Sequence, residues 1–412
     1  MTKNRKPAAA DSGKPSVTIL GMGYIGLPTA ALIASRGMNV LGVDVNKAVV
    51  DTVNKGKIHI VEPDLEGLVH HAVSKGRLVA SIKPQPSDVF IVTVPTPFKK
   101  SHQPDLSYVE RAVVMAAPHL RAGNLFIIES TSPVGTTERM ADVLFKQRPD
   151  LKGKLFIAYC PERVLPGSVI YELQQNDRVI GGIDDASTEA AVRFYSLFVR
   201  GTLHRTNSRT AEMTKLVENA YRDVNIAFAN ELSIISEKAG INVNELIHLA
   251  SKHPRVKILT PGPGVGGHCI AVDPWFIASA FPKEAKLIRL AREVNTYKAE
   301  WVLDRIRTDA RKLQKRLGRA PVIACMGLAY KPDIDDLRES PALEIYETLE
   351  NEGYHVMAVE PNLRRHPRLP ITDTLRAVRE SDLLVFLVNH KEFQGLPVAD
   401  KQVLDFCGVT RF

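Results

Sequence analysis

One thiol in the sequence stands in a setting that suits covalent chemistry. The stretch PGPGVGGHCIAVDP, residues 261–274, carries four glycines and places Cys269 between His268 and Asp273. Glycines let a backbone approach a ligand closely, and the reactivity of a thiol depends on the ionisable groups around it. A lone cysteine in a tight turn is more often a small buried residue, but the glycines and the carboxylate favour a nucleophile.

A second set of polar residues lies on a helix predicted from Thr210 to Lys238. Lys215, Asn219 and Arg222 are spaced at i, i+4 and i+7, so they share one helix face. Lys215 and Asn219 can together donate to an oxyanion. A solvated polar face has the same appearance and is the simpler alternative.

The residues after Ser16 predict the element that would hold a dinucleotide. A strand, VTIL, runs into the motif GMGYIG, which is followed by a helix to Ser35. The glycines allow a tight turn that presents a helix N-terminus to a pyrophosphate. The next strand ends at Asp44, whose carboxylate suits a ribose 2′-hydroxyl and would repel a 2′-phosphate, so NAD is favoured over NADP. The motif by itself is weak evidence, but the strand, the helix and Asp44 together make a coincidental glycine turn improbable.

Polar residues also follow the next predicted strands. Thr96 lies after VFIVTV, Glu129 and Thr131 lie at the end of LFIIES, and Glu162 and Arg163 follow LFIAYC. Ligands of doubly wound sheets bind beyond the carboxyl ends of the strands, so these side chains should face cofactor and substrate. Strand-end capping by hydroxyl groups is the alternative for the threonines.

The rest of the pattern predicts an α/β protein with three folded parts. A helix from Asn244 to Lys252 precedes the glycine-rich loop, and a longer helix is expected from Lys283 to about Leu317. A second α/β pattern without a GxGxxG motif follows. We therefore expect a disordered tail (1–15), an N-terminal Rossmann NAD-binding domain (16–205), a central helical domain (206–317) and a C-terminal Rossmann-like α/β domain (318–412).

Composition limits the possible functions. The net charge of +8 is spread along the chain without a basic stripe, which argues against a nucleic-acid partner and suits an anionic metabolite. No apolar run is long enough for a membrane span, and the N-terminus lacks a secretory signal. The four cysteines are far apart and show no metal-ligand spacing, which is typical of free thiols in a reducing cytoplasm.

Together these motifs resemble the UDP-glucose/GDP-mannose dehydrogenase family over nearly the whole chain after the tail. The resemblance rests on GVGGHCIAVDPWF, CPERVLPG, ESTSPVGTT, HIVEPDL and the helix NSRTAEMTKLVENAYRDVNIAFANELS. These stretches are most similar to the branch that acts on UDP-N-acetylhexosamines. The resemblance implies that the chain oxidises C6 of UDP-N-acetyl-D-mannosamine to a carboxylate with two NAD, for bacterial surface polysaccharide synthesis.

The resemblance also implies roles for single residues. Cys269 would be the nucleophile that forms a thiohemiacetal and then a thioester. Lys215 would be the general acid/base and, with Asn219, would hold the oxyanion. Asp273 would orient water or Lys215, and Glu162 would be a second candidate base. The implied NAD contacts are Gly21, Gly23, Tyr24, Ile25, Gly26, Asp44, Thr96, Thr131 and, from the C-terminal domain, Arg338. The implied substrate contacts are Arg163, Val164, Lys215, Asn219, Arg222, His253, Arg255, Gly266, Tyr330 and Lys331.

Two positions depart from the family pattern. Pro166 stands where the glucose branch has a second glutamate, which fits the N-acetylhexosamine branch. Cys407 stands where close relatives carry a substrate-binding lysine, so that cation is missing or is supplied elsewhere, for example by Arg411. In this family the residue at Arg255 reaches across a dimer interface, so a homodimer or higher homo-oligomer is implied.

Other functions stay open at this point. UDP-N-acetylglucosamine or UDP-glucose 6-dehydrogenase activity differs only in the sugar. A two-electron β-hydroxyacid dehydrogenase also carries a Lys-x-x-x-Asn helix after a Rossmann domain, but it has no use for Cys269. A non-catalytic NAD-binding regulator would be expected to lose Cys269, Lys215 and Asn219, and all three are present.

Overall fold

The computed structural model of the chain describes residues 13–99, 103–165, 167–267, 269–363 and 366–410. The chain divides into two compact units, Met1–Val217 and Glu218–Phe412. Most of the predicted tail, together with Pro166, His268 and Arg411, lies outside the described residues. The division into three domains stays a prediction.

The first unit is built on an eight-stranded sheet with the order β3-β2-β1-β4-β5-β6-β7-β8. Neighbouring strands are parallel except for β6 and β7, which pair antiparallel. The strands are β1 (Val17–Leu20), β2 (Val40–Val43), β3 (Leu78–Ser81), β4 (Val89–Val92), β5 (Leu125–Ile128), β6 (Phe156–Tyr159), β7 (Arg178–Gly182) and β8 (Leu203–Asn207). Its first six strands have the order of a dinucleotide-binding sheet, which confirms the predicted Rossmann fold.

Helices cover the sheet of the first unit. They are α1 (Gly26–Ser35), α2 (Lys47–Asn54), α3 (Leu65–Ser74), α4 (Ser107–Ala116), α5 (Thr136–Gln147), α6 (Val169–Gln175) and α7 (Asp185–Tyr195), with short 3-10 helices at Ala117–His119 and Pro149–Leu151. Strands β1, β2, β4 and β5 are buried along their whole length because apolar side chains pack on both faces of the sheet. The core therefore fixes the strand ends that carry the polar residues.

The second unit combines helices with a smaller parallel sheet of order β10-β9-β11-β12. The helices are α8 (Ser208–Ala239), which begins in the first unit, α9 (Val243–Ala250), α10 (Asp273–Ala280), α11 (Lys286–Leu317), α12 (Pro341–Asn351) and α13 (Thr374–Glu380). The strands are β9 (Val322–Met326), β10 (His355–Val359), β11 (Leu383–Phe386) and β12 (Gln402–Asp405), and a 3-10 helix spans Lys391–Phe393. This sheet confirms the predicted C-terminal α/β fold.

Buried polar contacts join α8 to α11 within the second unit. Asp223 accepts from Arg292 at 2.7 Å and from Asn295 at 2.8 Å, and Asn230 donates to Asn295 at 2.9 Å. Burial raises the pKa of Asp223, while the Arg292 charge opposes that rise. A buried charge needs such partners, so these contacts fix one register between the two long helices.

The structure corrects the sequence-based helix boundaries. Helix α8 extends beyond both ends of the predicted one, α9 begins and ends earlier than predicted, and α11 begins at Lys286 rather than Lys283. Helix α10 was missed, because Asp273 and Pro274 were read as the end of the glycine-rich loop. A proline is tolerated in the first helical turn, where its missing N–H has no partner to lose. Within the part of the chain that the structure describes, every helix is too short or too polar to cross a membrane.

Candidate active site

The loop between β1 and α1 has one closed side and one open side. Gly21 has a φ of 99°, and a Cβ there would lie 2.8 Å from the Thr93 carbonyl oxygen. A Cβ at Gly26 would overlap the Gly21 carbonyl oxygen. A Cβ at Gly23, in contrast, would have no described protein atom within 4 Å. Two glycines are therefore needed for packing, and the third leaves a face of the loop open to a ligand.

Asp44 stands directly after β2 beside this loop. Its Oδ2 accepts from the Met22 amide at 3.0 Å, and its Oδ1 accepts from the Asn46 amide at 2.8 Å. The carboxylate is only partly buried, and each of its oxygens has more than one acceptor position. An open glycine loop at a helix N-terminus beside an accessible carboxylate fits NAD, with the pyrophosphate on the loop and a ribose hydroxyl on Asp44.

The remaining residues that are predicted to contact the cofactor in the first unit lie at neighbouring strand ends. Tyr24 is 47% exposed and Ile25 is partly exposed at the start of α1. Thr96 follows β4 and Thr131 follows β5, and both side chains are partly exposed. Since β1, β2, β4 and β5 are adjacent and parallel, the structure brings these residues to one edge of the sheet.

Glu129 is buried, whereas its position at the end of β5 predicts a side chain that faces cofactor and substrate. Its side chain is 3% exposed, and its Oε1 accepts from the Tyr195 hydroxyl at 2.6 Å. Burial raises the pKa of Glu129, and the nearby Arg178 guanidinium opposes the rise. A strand-end position alone does not separate a side chain that points outward from one that turns into the core behind the strand.

Glu162, Arg163 and Val164 lie on the loop after β6. The Glu162 carboxylate accepts from the Val164 amide, and Arg163 donates to the Asp177 carbonyl at 3.3 Å. Burial raises the pKa of Glu162, and the Lys215 charge is the largest influence in the opposite direction. A raised pKa is typical of a carboxylate that exchanges protons near neutral pH.

Two glutamates that were not picked out as site residues hold these loops. Glu62 is 6% exposed and accepts from the Gly167 amide at 2.9 Å and the Val169 amide at 2.8 Å, which fixes the loop that carries Glu162. Glu212 on α8 is fully buried and accepts from the Gly135 amide and from the amide and hydroxyl of Thr137. A carboxylate at a helix N-terminus is favourable, so Glu212 ties α5 to the turn of α8 just before Lys215. Its sequence signal was its place three residues before Lys215.

Helix α8 carries the polar stripe that the sequence predicted. Lys215 is 8% exposed, Asn219 is partly buried and Arg222 is exposed. A solvated face would leave all three in water, and the burial of Lys215 does not fit that alternative.

The candidate nucleophile lies in the second unit close to two of its predicted partners. Cys269 is exposed, and its carbonyl accepts from the Asp273 amide at 2.8 Å as the chain turns into α10. The Asp273 carboxylate is 3% exposed and accepts from Asn219 Nδ2 at 2.5 Å. The structure therefore assigns Asp273 a direct contact with Asn219, whereas the sequence had suggested that it orients water or Lys215.

The glycines before Cys269 pack against the segment that follows β9. A Cβ at Gly267 would lie 2.8 Å from the Tyr330 ring, and a Cβ at Gly266 would lie 2.8 Å from Tyr330 Cβ and overlap the Glu339 carbonyl oxygen. These glycines allow two segments of the same chain to pack closely, whereas the sequence had suggested a close approach to a ligand. They bring Tyr330 against the loop that carries the thiol.

The other predicted ligand residues of the second unit are exposed. Lys331 directly follows Tyr330, and His253 and Arg255 lie just after α9. Arg338 forms a bidentate contact with the Asp336 carboxylate of its own loop, with donor distances between 2.6 and 3.0 Å. Near the C-terminus, Cys407 is 6% exposed.

Comparisons with known proteins agree with this arrangement. Family models match residues 15–199 (UDP-glucose/GDP-mannose dehydrogenase family, NAD binding domain), 209–297 (central domain) and 324–410 (UDP binding domain). An NDP-N-acetyl-D-galactosaminuronic acid dehydrogenase of Ralstonia nicotianae is 53% identical and covers 94% of each chain. A UDP-N-acetyl-D-mannosamine dehydrogenase of Campylobacter jejuni is also 53% identical, over 95% of this chain and 98% of its own. The solved UDP-D-ManNAc dehydrogenase of Pyrococcus horikoshii superposes with a TM-score of 0.86 at 38% identity and covers 96% of each chain.

Proposed function

This chain belongs to the UDP-glucose/GDP-mannose dehydrogenase family, and from that premise we propose that it oxidises C6 of UDP-N-acetyl-D-mannosamine to the carboxylate. The observation that carries the proposal is the exposed thiol of Cys269, tied through Asp273 to Asn219 on α8. An alcohol dehydrogenase that stops at the aldehyde has no use for a thiol. The relatives named for this substrate, at half of the residues identical, support the choice of sugar.

The residues of this chain supply the proton and charge chemistry. NAD, when bound, accepts the hydride in each of the two oxidations. Lys215 takes the proton of the C6 hydroxyl group in the first oxidation. The Cys269 sulfur then adds to the aldehyde carbon, and Lys215 and Asn219 stabilise the resulting oxyanion. Asp273 accepts one amide proton of Asn219, which fixes the orientation of the amide.

The second oxidation leaves a thioester on Cys269, which water must cleave. Attack of water on the carbonyl carbon, with loss of one proton to a base, expels the thiolate and leaves the carboxylic acid, which then ionises. We assign that proton to Glu162, because burial raises the pKa of this carboxyl toward the range of a working base. Gly21, Gly23, Gly26, Tyr24, Ile25, Asp44, Thr96 and Thr131 would hold NAD, with Arg338 as a further contact. Arg163, Val164, Arg222, His253, Arg255, Gly266, Tyr330 and Lys331 would hold the UDP-sugar.

The yield of NADH tests the proposal. We expect two NADH for each UDP-N-acetyl-D-mannosamine consumed by the full-length protein, and less from UDP-N-acetylglucosamine and UDP-glucose. The Cys269→Ser variant should lose the acid product because the second oxidation needs the thiol, and it should retain at most the first oxidation. One NADH per sugar from the unmodified protein, or acid from the variant, would contradict the mechanism.

A second sugar has its own support. The Ralstonia relative, named for an N-acetyl-D-galactosaminuronic acid, is as similar to this chain as the Campylobacter mannosamine enzyme. UDP-N-acetylgalactosamine therefore belongs in the same assay. Two NADH from that sugar and little from the mannosamine would keep the mechanism and change the substrate.

We further propose a homodimer formed through α8 and α9. Tyr221, Phe228 and Ile235 recur at seven-residue spacing on α8 and are 71%, 54% and 54% exposed. Every residue of α9 is at least partly exposed although the helix is amphipathic, so its apolar side also lacks cover. Exposed apolar side chains that recur along helices in this way are typical of a protein interface. Arg255 lies exposed just beyond α9, where it would reach the partner's site.

Light scattering after size-exclusion chromatography tests the dimer. Phe228→Asp should give a monomer of half the mass. Val114→Asp on α4, a change at a single exposed apolar residue elsewhere, serves as the matched control and should leave the dimer intact. A dimer that survives Phe228→Asp would rule out this face.

We also propose three domains with the bounds predicted above and a location in the cytoplasm. Separate family models for the NAD-binding, central and UDP-binding parts support the division. All four cysteines lie among the described residues and are thiols rather than disulfides, as in a reducing compartment. Limited proteolysis between residues 205 and 209 and between 317 and 324 would test the domain bounds, and cell fractionation would test the location.

A further inference from the structure

A buried carboxylate and a buried imidazole meet beyond the second sheet. Glu360 follows β10 and is 1% exposed, and His390 lies after β11 and is fully buried. Since β9 lies between β10 and β11, the two side chains flank the loop that leaves β9. Neither residue was singled out from the sequence. Buried charged groups are rare without a structural or functional reason.

Glu360 holds the start of this loop. Its Oε2 accepts from the Leu328 amide at 2.8 Å, from the Ala329 amide at 2.9 Å and from His390 Nε2 at 3.1 Å. Burial alone would raise the pKa of Glu360, but the hydrogen bonds from His390 and the two amides bring it below its ordinary value. The carboxylate is therefore held in its ionised form.

His390 holds the end of the loop. The Asp333 amide donates to His390 Nδ1 at 2.9 Å. Because a backbone N–H can only donate, Nδ1 carries no proton, and the ring donates from Nε2 to Glu360. Asp333 has a φ of 61°, which is a costly conformation for a residue with a side chain and needs support from its surroundings. The pair thus fixes both ends of residues 328–333.

The loop between these anchors carries Tyr330 and Lys331. The Tyr330 ring packs on Gly267, two residues before Cys269. Burial raises the pKa of Tyr330, and the charges of Asp336 and Cys269 also act in that direction. Lys331 is exposed directly after it. A shift of residues 328–333 would therefore move Lys331 and, with it, the Tyr330 ring that packs against the loop of Cys269.

We propose that Glu360 and His390 are positioning residues for the reaction, which act by fixing Tyr330 and Lys331. The inference rests on the proposed function, in which Lys331 binds the phosphates of the UDP-sugar and Cys269 attacks the aldehyde. Neither Glu360 nor His390 touches substrate in this account. Their effect passes through the backbone of residues 328–333.

A metal ion is the competing explanation for this cluster. Asp333, His390 and Glu392 each offer one ligand atom, and these atoms lie within 4.8 Å of one another. The hydrogen bonds argue against a metal, since Nδ1 already accepts the Asp333 amide proton and Nε2 faces Glu360. A metal ligand needs a free nitrogen lone pair.

Two substitutions of His390 separate its two nitrogens. In His390→Asn the amide oxygen can take the place of Nδ1 and accept from Asp333. In His390→Gln the longer amide can take the place of Nε2 and donate to Glu360, but the Asp333 amide is left without an acceptor. We expect His390→Gln to raise the Kd for UDP and the KM for the UDP-sugar by about tenfold, the equivalent of one lost hydrogen bond. We expect His390→Asn to stay within about threefold of the unmodified protein, and the KM for NAD to stay within about twofold in both.

Calorimetry with UDP makes the test independent of turnover. If the unmodified protein binds UDP but oxidises no UDP-sugar, the proposed function fails while the His390 comparison can still be read. Equal UDP affinities in the Asn and Gln variants would overturn the positioning role. Loss of the Asn/Gln difference after treatment with EDTA would favour the metal instead.

A control variant and a milder variant complete the test. Tyr346→Phe removes a 2.7 Å hydrogen bond to Glu350 on α12 of the same unit and should leave UDP binding unchanged. If His390→Gln does not fold, Asn362→Ala takes its place, since Asn362 Nδ2 lies 3.0 Å from His390 Nδ1. The positioning role predicts about threefold weaker UDP binding in that variant, and unchanged binding would overturn it.

Discussion

In both sheets the chain leaves one strand through a glycine whose amide donates to the end of a neighbouring parallel strand. The Gly21 amide donates to the Val43 carbonyl at the end of β2, and the Gly327 amide donates to the Val359 carbonyl at the end of β10, each at 2.8 Å. The two glycines have φ values of 99° and 90°. The next amide in each loop then donates to a carboxylate directly after the neighbouring strand, Met22 to Asp44 and Leu328 to Glu360.

The two carboxylates differ in what else they contact. Asp44 is partly exposed beside an open glycine face, whereas Glu360 is 1% exposed and accepts from two loop amides and from His390. The same backbone arrangement therefore leaves the Asp44 carboxylate accessible to a ligand in the first sheet. In the second sheet the Glu360 carboxylate is buried and stabilises a loop. Repeated topology predicts where a polar group stands, and its neighbours decide what it does.

The largest difference in stability is expected between the variants that lack one of the two carboxylates. Glu360→Ala leaves two buried amides and an imidazole N–H without their acceptor, and we expect it to lower the free energy of unfolding by about 3 kcal/mol. Asp44→Ala should cost less, about 1 kcal/mol, because the Asp44 carboxylate is only partly buried and accepts from two amides without an imidazole. Urea unfolding measures both values, and hydrogen exchange of the peptides that cover residues 19–26 and 326–333 locates the loss. Equal losses would remove the distinction between the two carboxylates.

The loop glycines should separate stability from cofactor binding. A Cβ at Gly327 would lie 2.5 Å from Val388 Cβ in a backbone with positive φ, so Gly327→Ala should cost about 2 kcal/mol of stability. Gly23→Ala should change stability by less than about 0.5 kcal/mol, since the space around it is open. It should nevertheless raise the KM for NAD, because its methyl group would occupy the open face. An unchanged KM for NAD in Gly23→Ala would contradict the ligand role of that face.

Asp44 should also set the choice of dinucleotide. We expect Asp44→Ala to raise the KM for NAD by about tenfold, which corresponds to about 1.4 kcal/mol. The KM for NADP should fall in the same variant, since the repulsion of a 2′-phosphate is removed. The affinity for UDP should not change. Steady-state kinetics with both cofactors makes the measurement, and a parallel loss for NAD and NADP would argue against a contact with the ribose.

The stabilising effects of Glu360 and Glu129 should change with pH in opposite directions. We expect these changes to be smaller than the effects of the substitutions described above. The pKa of Glu360 is lowered, so its stabilisation is complete above about pH 4.5 and is lost as the pH falls through the folded-state value. The pKa of Glu129 is raised by burial, so its contribution is complete below about pH 4.5 and is lost as the pH rises through the folded-state value. The difference in free energy of unfolding between the unmodified protein and the variant should therefore decrease on acidification for Glu360→Gln. For Glu129→Gln the same difference should increase on acidification. Denaturation from pH 7 to about pH 3 measures both, and slopes of the same sign would contradict the assigned shifts.

Much of the fold could be predicted because strong local patterns decide it. The apolar strands that end at Leu20 and Val43, with the glycine motif between them, leave few alternatives to a Rossmann unit. The short strands β7 and β8 were missed because they alternate less clearly, and β7 runs antiparallel to β6. Helix α10 was missed because local propensity does not show where a proline starts a helix.

The sequence suggests residue types for the candidate site but not the contacts between them. The roles of Cys269, Lys215 and Asn219 stay predictions, and the structure adds that Asp273 binds Asn219. No local signal distinguished Glu129, which turns into the core, from Thr131, which stays partly exposed. Glu360 and His390 were invisible to sequence reasoning because they meet only when β10 and β11 flank β9.

The close packing of Gly267 against the Tyr330 ring also limits how this chain can evolve. A side chain at position 267 would collide with the ring, and Gly267 has a φ of 82°, so neither partner can change size by itself. The two positions lie far apart in sequence, yet a larger residue at position 267 requires a smaller one at position 330. Aligned relatives should therefore keep glycine at position 267, and any larger residue there should occur only beside a smaller residue at position 330.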